Sequence, residues 1–412
     1  MTSPSIKLLI CITPVEGHVM PVRAVATGLI SKGYNVMVLT GSDYKEKFEE
    51  IGATFVPLEG ESDITQARLA VLIENLVKVI PTPTGDALML KTFIGWIPSQ
   101  HESFQGALRR IKNEDPEAQI VVFFEGAFRG TLPTLLGAGE IRPVGQIGLG
   151  FSTEKDKENW VKSQARWEEI LRETGARDPG LWWRDVPFHA ADRYIQMCAP
   201  SIEYPRSDAP HGLRYSGGLG PGLRDRMKSF PSWWDDIAIN PQGKRIVAVS
   251  QGTIATDASD LIVPTMMSMK DRNDVLVVAA LGKRGAKLDV EIPGNSRYAD
   301  YIPYDEMLQY ADVFVTNGGY GSVQHALGNG VPLVVGGTGA DKVDNAMRVA
   351  WAGVGINLET HRPTQEALSQ AVMATLDEPK YKERAKEIQE EMKSYDPIGV
   401  IEQNIKEVVG IS

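Results

Sequence analysis

A glycine-rich segment of the chain combines residue types that could hold a phosphate group. Residues 316–335 (TNGGYGSVQHALGNGVPLVV) place Gly318, Gly319, Gly321 and Ser322 between an apolar strand pattern and a helical pattern. Glycine lets the backbone turn sharply and approach a ligand closely, and the N–H groups at a helix start attract anions. The segment therefore predicts a site for phosphate oxygens, although a purely structural glycine turn would leave the same pattern.

A histidine near the start of the chain could supply a base. His18 lies in the segment TPVEGHVMP, directly after an apolar run that reads as a buried strand. Imidazole titrates near neutral pH, and a general base of this kind typically gives ~10²–10⁴ in rate when it takes the proton of an attacking alcohol. A single histidine is more often structural or merely exposed. Its position in a loop at a strand end nevertheless makes it a candidate for a ligand cleft.

Two common phosphate-binding motifs are absent. The dinucleotide fingerprint needs a third glycine where this chain has Gln324, and the loop after the first strand has no glycine pattern of that kind. A Walker loop would need glycine at Val277, upstream of Gly282 and Lys283. These absences disfavour an NAD-dependent dehydrogenase and a Walker-type phosphate-binding loop.

The elements that must position these residues alternate between buried strands and helices. Such alternation predicts parallel sheets with helices on both faces, and therefore an α/β fold of two Rossmann-like domains with a cleft at the carboxyl ends of the strands. Residues 205–243 are rich in Pro, Gly and Asp and separate the two halves. The predicted strands are residues 6–12, 34–40, 53–57, 119–124 and 142–147, then 245–250, 275–279, 312–316 and 332–335. The expected divisions are a first Rossmann-like domain 1–205, a linker with loops 206–243, a second Rossmann-like domain 244–395, and a helix 396–412 packing back on the first domain.

Composition and charge disfavour several classes of partner. The chain has 412 residues with 42% hydrophobic and 23% charged residues, typical of globular domains, and a formal net charge of −10. An acidic chain disfavours nucleic acid and anionic membrane surfaces as partners. Two distant cysteines allow no disulfide framework. With no signal-peptide pattern and no membrane-spanning run, the expected location is cytoplasmic.

Residues 301–345 resemble the donor-binding signature of the UDP-glycosyltransferases, inverting enzymes of the GT-B fold that act on small molecules. The segment YIPYDEM is similar to the start of that signature, GVP matches it, and Asp341-Lys342 stands at its acidic–glutamine pair. The N-terminal GHVMP is similar to the family's Gly-His-x-x-Pro, whose histidine is the catalytic base. The resemblance favours microbial and fungal members with an Asn-Gly-Gly form of the signature, often enzymes of secondary metabolism.

The resemblance implies a set of donor-binding residues. Tyr301 and Ile302 are expected near uracil, and the Ser250 segment near the diphosphate. Three positions depart from the family pattern, with Asn317 for histidine, His325 for the ribose-binding glutamate, and Lys342 for the sugar-binding glutamine. The expected donor-binding residues are Ser250, Gly252, Thr253, Tyr301, Ile302, Asn317, Gly318, Gly319, Gly321, Ser322, His325, Asp341 and Lys342.

The resemblance also implies a partner for the base. The family supplies an aspartate at the end of a later strand of the first domain, and this chain has Glu125 there. A carboxylate on the second ring nitrogen would fix the tautomer of His18 and stabilise its protonated form. Glu125 could instead be a helix-capping or surface carboxylate. No Asp-x-Asp pair is present, so we expect a metal-independent reaction without a cofactor, its leaving group stabilised by backbone amides.

An apolar acceptor pocket is expected in the first domain. Each large apolar residue taken singly is more often a core residue, but the set suits a polyketide, sterol, flavonoid or phenol. The candidates are Met89, Phe93, Trp96, Phe124 and Phe128, with Trp182, Trp183 and Phe188 as further possibilities.

The function expected from the sequence is transfer of a hexose from a UDP-sugar to a hydroxyl of a small apolar acceptor, with inversion. Two alternatives remain open: a GT-B-fold nucleotide-sugar epimerase, and a non-catalytic accessory homologue. An epimerase would need carboxylates and arginines around the sugar rather than His18. The departures at Asn317 and His325 favour an accessory protein, whereas His18, Ser322 and Asp341 favour an enzyme.

Overall fold

The computed structural model describes residues 5–79, 90–150, 161–219, 229–252, 257–338 and 341–411. The chain divides into two compact units. The first comprises Met1–Met197, Arg206–Ser216 and Asp396–Ser412, and the second comprises Cys198–Pro205 and Gly217–Tyr395.

The first unit is built on a seven-stranded sheet in which every neighbouring pair of strands is parallel, in the order β3-β2-β1-β4-β5-β6-β7. Its central strands are almost continuously buried, as expected for a parallel sheet covered on both faces. The strands are β1 (Ile6–Cys11), β2 (Asn35–Thr40), β3 (Thr54–Pro57), β4 (Gln119–Glu125), β5 (Gly145–Gly150), β6 (Arg193–Gln196) and β7 (Leu213–Tyr215).

Helices connect these strands and cover the sheet. The helices are α1 (Glu16–Ser31), α2 (Lys45–Glu49), α3 (Gln66–Val79), α4 (Ile97–Glu114), α5 (Leu132–Leu135), α6 (Val161–Thr174) and α7 (Val186–Ala190). A large core lies on one face of the sheet, where alternate residues of β1 and β4 pack against α4 and aromatic residues that include Phe104, Trp167 and Trp183.

The second unit repeats the same principle with a six-stranded parallel sheet in the order β10-β9-β8-β11-β12-β13. Its strands are β8 (Arg245–Ser250), β9 (Val275–Ala280), β10 (Ser296–Ala299), β11 (Val313–Thr316), β12 (Leu333–Val335) and β13 (Gly355–Asn357). Its helices are α8 (Asp235–Ala238), α9 (Ile262–Ser268), α10 (Tyr304–Leu308), α11 (Tyr320–Gly328), α12 (Lys342–Trp351), α13 (Gln365–Asp377) and α14 (Pro379–Lys393).

The last helix, α15 (Pro397–Val409), belongs to the first unit, where it packs against α1, β4 and β5. Gly28 of α1 makes the close approach possible, because a Cβ there would lie 2.6 Å from Cδ1 of Ile398. Ion pairs from Lys32 to Glu402 and from Arg193 to Glu407 flank this contact.

Strand register explains how distant residues meet at each sheet edge. In the first sheet Cys11 pairs with Phe124, so the segment after β1 and Glu125 at the end of β4 leave the sheet side by side. In the second sheet Ser250 pairs with Thr316, which brings the Ser250 loop beside the glycine turn. Both candidate sites therefore lie where parallel strands end.

The structure differs from the sequence-based expectation at several boundaries. α1 begins at Glu16, so His18 lies in its first turn rather than in a loop. β5 begins at Gly145, since Pro143 has no N–H to donate to a ladder. The segment expected as a linker, residues 206–243, contributes β7 to the first sheet, where it pairs with β6. The short strands β6, β7, β10 and β13 carry too few apolar residues to be recognised from sequence.

Candidate active site

The first unit brings His18 and Glu125 together. Nδ1 of His18 lies 2.8 Å from Oε1 of Glu125, and the same oxygen accepts the backbone N–H of Ala127 at 2.8 Å. The Glu125 side chain is 2% exposed, whereas that of His18 is 28% exposed. The imidazole is thus held by a buried carboxylate while part of its surface faces outward.

Electrostatics keep the buried carboxylate ionised. Burial by itself raises the pKa of Glu125, but the His18 charge and hydrogen bond, the Ala127 N–H and the Arg129 guanidinium together hold this pKa below its ordinary value. The other oxygen, Oε2, is buried and has no hydrogen-bond partner among the described residues. The contacts that orient the carboxylate therefore act at Oε1, the atom that faces His18.

Arg129 contributes to the low pKa of Glu125, a role that was not predicted from the sequence. Its guanidinium lies over the Trp183 ring at 5.0 Å, and its Nη1 donates to the Trp183 carbonyl at 3.3 Å. Burial lowers the pKa of Arg129 to about 10, against the opposing attraction of Tyr194 and Glu125. The only sequence signal for Arg129 is its position four residues after Glu125. That spacing does not indicate its contact with Trp183, which is 54 residues away.

Two of the predicted acceptor residues, Phe93 and Trp96, pack against each other. Phe93 is half-buried with its ring centroid 6.2 Å from that of His18, and Trp96 packs 5.8 Å from Phe93. Trp96 itself is almost fully buried, packed with Val15 in a small apolar cluster.

The prediction that Phe124 and Phe128 line the acceptor pocket is wrong. Both have no exposed surface and lie in the main core of the first unit. Phe124 faces this core because neighbouring residues of a strand point to opposite sheet faces, and Glu125 occupies the other face. Of the further candidates, Trp183 is also a core residue, whereas Trp182 and Phe188 are half-buried. Met89 lies outside the described residues.

In the second unit the glycine turn adopts a conformation that requires glycine. Gly318 has φ +80°, and a Cβ there would lie 2.6 Å from Cγ1 of Val335. Gly319 immediately precedes α11, while Gly321 lies exposed in its first turn, where a Cβ would meet no atom within 4 Å. The backbone N–H groups of this helix start are those that the sequence predicts to bind phosphate oxygens.

Asn317 links two loops. Its Nδ2 donates to the carbonyl of Gln251, and its Oδ1 accepts the N–H of Gly319 at 3.3 Å. The resemblance places this amide as a donor to phosphate, but one of its N–H groups is directed at the backbone of the neighbouring loop. The side chain thereby fixes the start of α11 relative to the Ser250 segment.

Tyr304 connects Ser250 and Ser322, and sequence reasoning did not assign it a role. Its hydroxyl donates to Oγ of Ser250 at 3.2 Å and accepts from Oγ of Ser322 at 3.4 Å. The two serines were predicted separately as diphosphate ligands, and the structure joins them through this tyrosine. The segment YIPY contained the residue, but its partners are 54 and 18 residues away.

Asn345 is a third residue whose role was not predicted from the sequence. Its Nδ2 donates to the Gly318 carbonyl at 2.9 Å and to Oδ2 of Asp341 at 3.0 Å, and the residue is 2% exposed. The glycine turn and Asp341 are therefore fixed to each other. Lys342, the first residue of α12, is half-buried beside the same turn.

His325 is held by a carboxylate. Its Nδ1 lies 2.8 Å from Oδ1 of Asp305, which also accepts from Nδ2 of Asn329 at 3.0 Å. The His325 ring meets that of Tyr304 edge-on at 5.3 Å. The departure from the family's glutamate is thus accompanied by an aspartate on α10 that no local sequence signal pairs with it.

The remaining donor candidates surround this network. Tyr301 is half-buried with the Arg284 guanidinium 4.5 Å from its ring centroid, and the Ile302 side chain is buried. Gly252 has φ +82° in open space, and Thr253 lies outside the described residues. Among the described residues no group of three or more His, Cys, Asp or Glu could hold a metal ion, and no helix is long and apolar enough to cross a membrane.

Comparison with known proteins identifies a family model over the second half of the chain and relatives over nearly all of it. Residues 265–407 match the family described as "Erythromycin biosynthesis protein CIII-like, C-terminal domain". The UDP-glucosyltransferase B1 of Starmerella bombicola is 36% identical, over 97% of this chain and 98% of its own. The UDP-glucosyltransferase 1 of Beauveria bassiana is 35% identical, over 96% and 94%. The 4'-demethylrebeccamycin synthase of Lentzea aerocolonigenes is 30% identical, over 95% and 97%.

Solved structures share the fold. The glycotransferase of kitacinnamycin superposes with a TM-score of 0.72 over 98% of this chain and 100% of its own, at 18% identity. The spinosyn rhamnosyltransferase SpnG gives a TM-score of 0.70 over 97% and 99%, at 16% identity. Two parallel-sheet α/β units with this strand order therefore form the GT-B fold.

The two UDP-glucosyltransferases among these relatives match nearly the whole chain, which disfavours an epimerase, and their names agree with the residues that the two sheet edges present. The chain belongs to the UDP-glycosyltransferase family, and it is a glycosyltransferase that uses a UDP-sugar.

Proposed function

We propose that this enzyme transfers a hexose from a UDP-sugar to a hydroxyl of a small apolar acceptor, with inversion and without a metal ion. The observation that carries the proposal is the 2.8 Å contact between His18 Nδ1 and the buried Glu125 carboxylate. Glucose is the first sugar to test, because several relatives carry the name UDP-glucosyltransferase.

His18 acts as the general base. With Nδ1 directed at Glu125, Nε2 is the nitrogen that takes the acceptor's hydroxyl proton as the oxygen attacks the anomeric carbon. The bond from that carbon to the diphosphate oxygen breaks, and UDP leaves with the electron pair. Glu125 positions the ring and stabilises the imidazolium while it holds the proton. One displacement without a covalent intermediate inverts the anomeric configuration.

The second unit binds the diphosphate through neutral donors. The N–H groups at the start of α11 and the hydroxyls of Ser250 and Ser322 offer hydrogen bonds without a cation. Gly318 and Gly319 permit the close approach, and Asn345 keeps Asp341 beside the turn for contact with the sugar. Tyr301 and the backbone at Ile302 are expected to contact the uracil.

Phe93 is the best supported acceptor contact, because it is half-buried and its ring lies beside that of His18. An apolar ring at this point favours an acceptor whose hydroxyl is attached to an apolar body. A carboxylate-rich or strongly polar acceptor would lose hydration there without compensation.

Binding and chemistry can be tested separately. We expect UDP and UDP-glucose to raise the melting temperature of the wild type and of His18→Ala equally, since the substitution leaves the second unit intact. Transfer to a panel of phenolic and polyketide acceptors should fall by about 10²–10⁴ in His18→Ala. His189→Ala, which removes an exposed histidine of the same unit, is the matched control and should retain activity. Unchanged transfer in His18→Ala would reject the base.

Two product measurements complete the test. NMR of the glycoside should show the anomeric configuration opposite to that of the donor, and retention would reject the single displacement. EDTA should leave the rate unchanged, and loss of activity that returns with Mg²⁺ would reject the metal-independent route.

A further inference from the structure

A small cavity of about 10 Å³ lies within the second unit beneath the first two turns of α11. Its polar lining residues are Glu203, Tyr320 and Gln324 of α11, and Asn345 and Arg348 of α12. This volume is near the lower limit for a single water molecule. The cavity is separate from the glycine turn, although Asn345 contributes to both.

The polar atoms around the cavity are incompletely paired. Both amide atoms of Gln324, Nε2 and Oε1, are buried without a hydrogen-bond partner among the described residues, and so is Oε1 of Glu203. Gln324 is 5% exposed and Glu203 is 8% exposed. Buried polar groups are nearly always paired with protein or ordered water, so unpaired atoms at one cavity indicate an occupant.

The second oxygen of Glu203 is already used. Its Oε2 accepts from Nε of Arg348 at 2.8 Å, and both side chains are largely buried. Arg348 also donates to the Asp344 carbonyl at 3.2 Å, and its guanidinium lies 5.0 Å from the Tyr204 ring centroid. The ion pair fixes the Glu203 carboxylate with Oε1 as its remaining acceptor at the cavity.

We propose that this cavity binds one ordered water molecule, which donates to Glu203 Oε1 and hydrogen-bonds the Gln324 amide. Water suits the site because it can donate and accept at once, and the cavity offers the two or more polar partners that a buried water needs. The water connects the segment Cys198–Pro205 to α11, the helix that starts at the glycine turn. A further part, which rests on the proposed function, is that this support keeps the turn ready to bind the diphosphate.

The sign of a stability change tests the occupant. Gln324→Met keeps the side-chain length but removes both amide atoms. With water present, the substitution deprives the water and Glu203 of a partner, and the melting temperature should fall by about 2–5 °C. In an empty cavity it removes a buried unsatisfied amide, so an unchanged or higher melting temperature would overturn the proposal. Gln389→Met is the matched control, because it removes one direct hydrogen bond to the Gly328 carbonyl at the other end of α11.

A crystal structure of the wild type provides a direct measurement that does not depend on the variant folding. Electron density for a water between Glu203 and Gln324 supports the site, and a clean empty cavity at a resolution that shows other buried waters rejects it.

For the functional part, calorimetric titration with UDP should show two- to fivefold weaker binding to Gln324→Met. An unchanged affinity beside a lowered melting temperature would reject the support of the turn and keep the water. If the wild type fails to bind UDP, the proposed function fails, and the density and melting tests still decide the water site.

Discussion

Each unit contains a histidine whose Nδ1 lies 2.8 Å from a carboxylate oxygen, yet the two pairs differ in their surroundings. Glu125 is 2% exposed at a strand end and also accepts a backbone N–H, while His18 has an aromatic ring beside it. Asp305 is 13% exposed on a short helix and also accepts the side chain of Asn329, while His325 stands edge-on to Tyr304.

The distance between histidine and carboxylate therefore does not distinguish the two pairs. Both carboxylates can orient an imidazole, but only His18 lies beside an apolar surface at the end of the first parallel strand. His325 lies within a hydrogen-bonded network of the helix that follows the glycine turn. We therefore expect the first pair to move a proton and the second to shape the donor-binding unit.

The largest expected difference between the two pairs is in kcat, when each carboxylate is replaced by the corresponding amide. Glu125→Gln should lower kcat by about 10²-fold or more, because an amide stabilises the imidazolium poorly and no longer fixes the tautomer. Asp305→Asn, the matched change in the other pair, should alter kcat by less than about threefold. Steady-state kinetics at saturating UDP-sugar and acceptor measure both values. Equal losses in kcat would show that the two pairs do not have separate roles.

The next largest effect concerns the backbone of the second unit. Gly318→Ala places a methyl group 2.6 Å from Val335 at φ +80°, so the turn must distort. At about 1.4 kcal/mol of strain, UDP affinity should fall about tenfold, with little change in the kcat of the loaded enzyme.

Gly243→Ala serves as the control for Gly318→Ala. It imposes a positive φ of +59° in the same unit with no atom within 4 Å. It should lower the melting temperature without weakening UDP binding in calorimetric titration. Normal affinity in Gly318→Ala would contradict the role of the turn.

A smaller effect is expected from the tyrosine that joins the two serines. Tyr304→Phe removes two long hydrogen bonds and should weaken UDP binding about threefold. Tyr310→Phe, which belongs to neither bond, should leave the affinity unchanged. If the two variants bind UDP alike, Tyr304 contributes only its ring.

The smallest effect is a difference in acid stability. The folded-state pKa of Glu125 lies below its ordinary value, so ionised Glu125 stabilises the fold above that ordinary value, and this contribution is lost as pH falls through the lower folded pKa. Glu125→Gln has no such contribution. The melting temperatures of wild type and variant should therefore converge as pH falls from about 5 to about 3. A constant gap over that range would show that Glu125 is not held ionised by the fold.

Much of the architecture follows from local sequence signals. Apolar runs such as residues 6–12 and 245–250 identify strands that are buried on both faces, and their alternation with helices predicts parallel sheets. The glycine turn also follows from a local signal, because clustered glycines indicate backbone conformations that other residues avoid. Gly318 does adopt a positive φ. Short strands such as β7 and β13 lack this signal, since three residues at a sheet edge carry little apolar pattern.

The partners in the candidate site could not be predicted in this way. His18 and Glu125 are 107 residues apart, and Tyr304 is 54 residues from Ser250. Family resemblance suggested the first of these pairs, but it indicated no partner for His325 and no role for Asn345. Phe124 is a plausible pocket residue by its type alone, and only the sheet places it in the core.

The amino-acid sequence by itself determined the two parallel α/β units, the histidine after the first strand and the glycine-lined helix start, because each depends on neighbours along the chain. Only the tertiary structure decided that Glu125 meets His18, that Asp305 meets His325, and that Phe124 and Phe128 belong to the core. Strand register and the alternation of side chains between sheet faces set these contacts, and both depend on pairing between segments far apart in sequence.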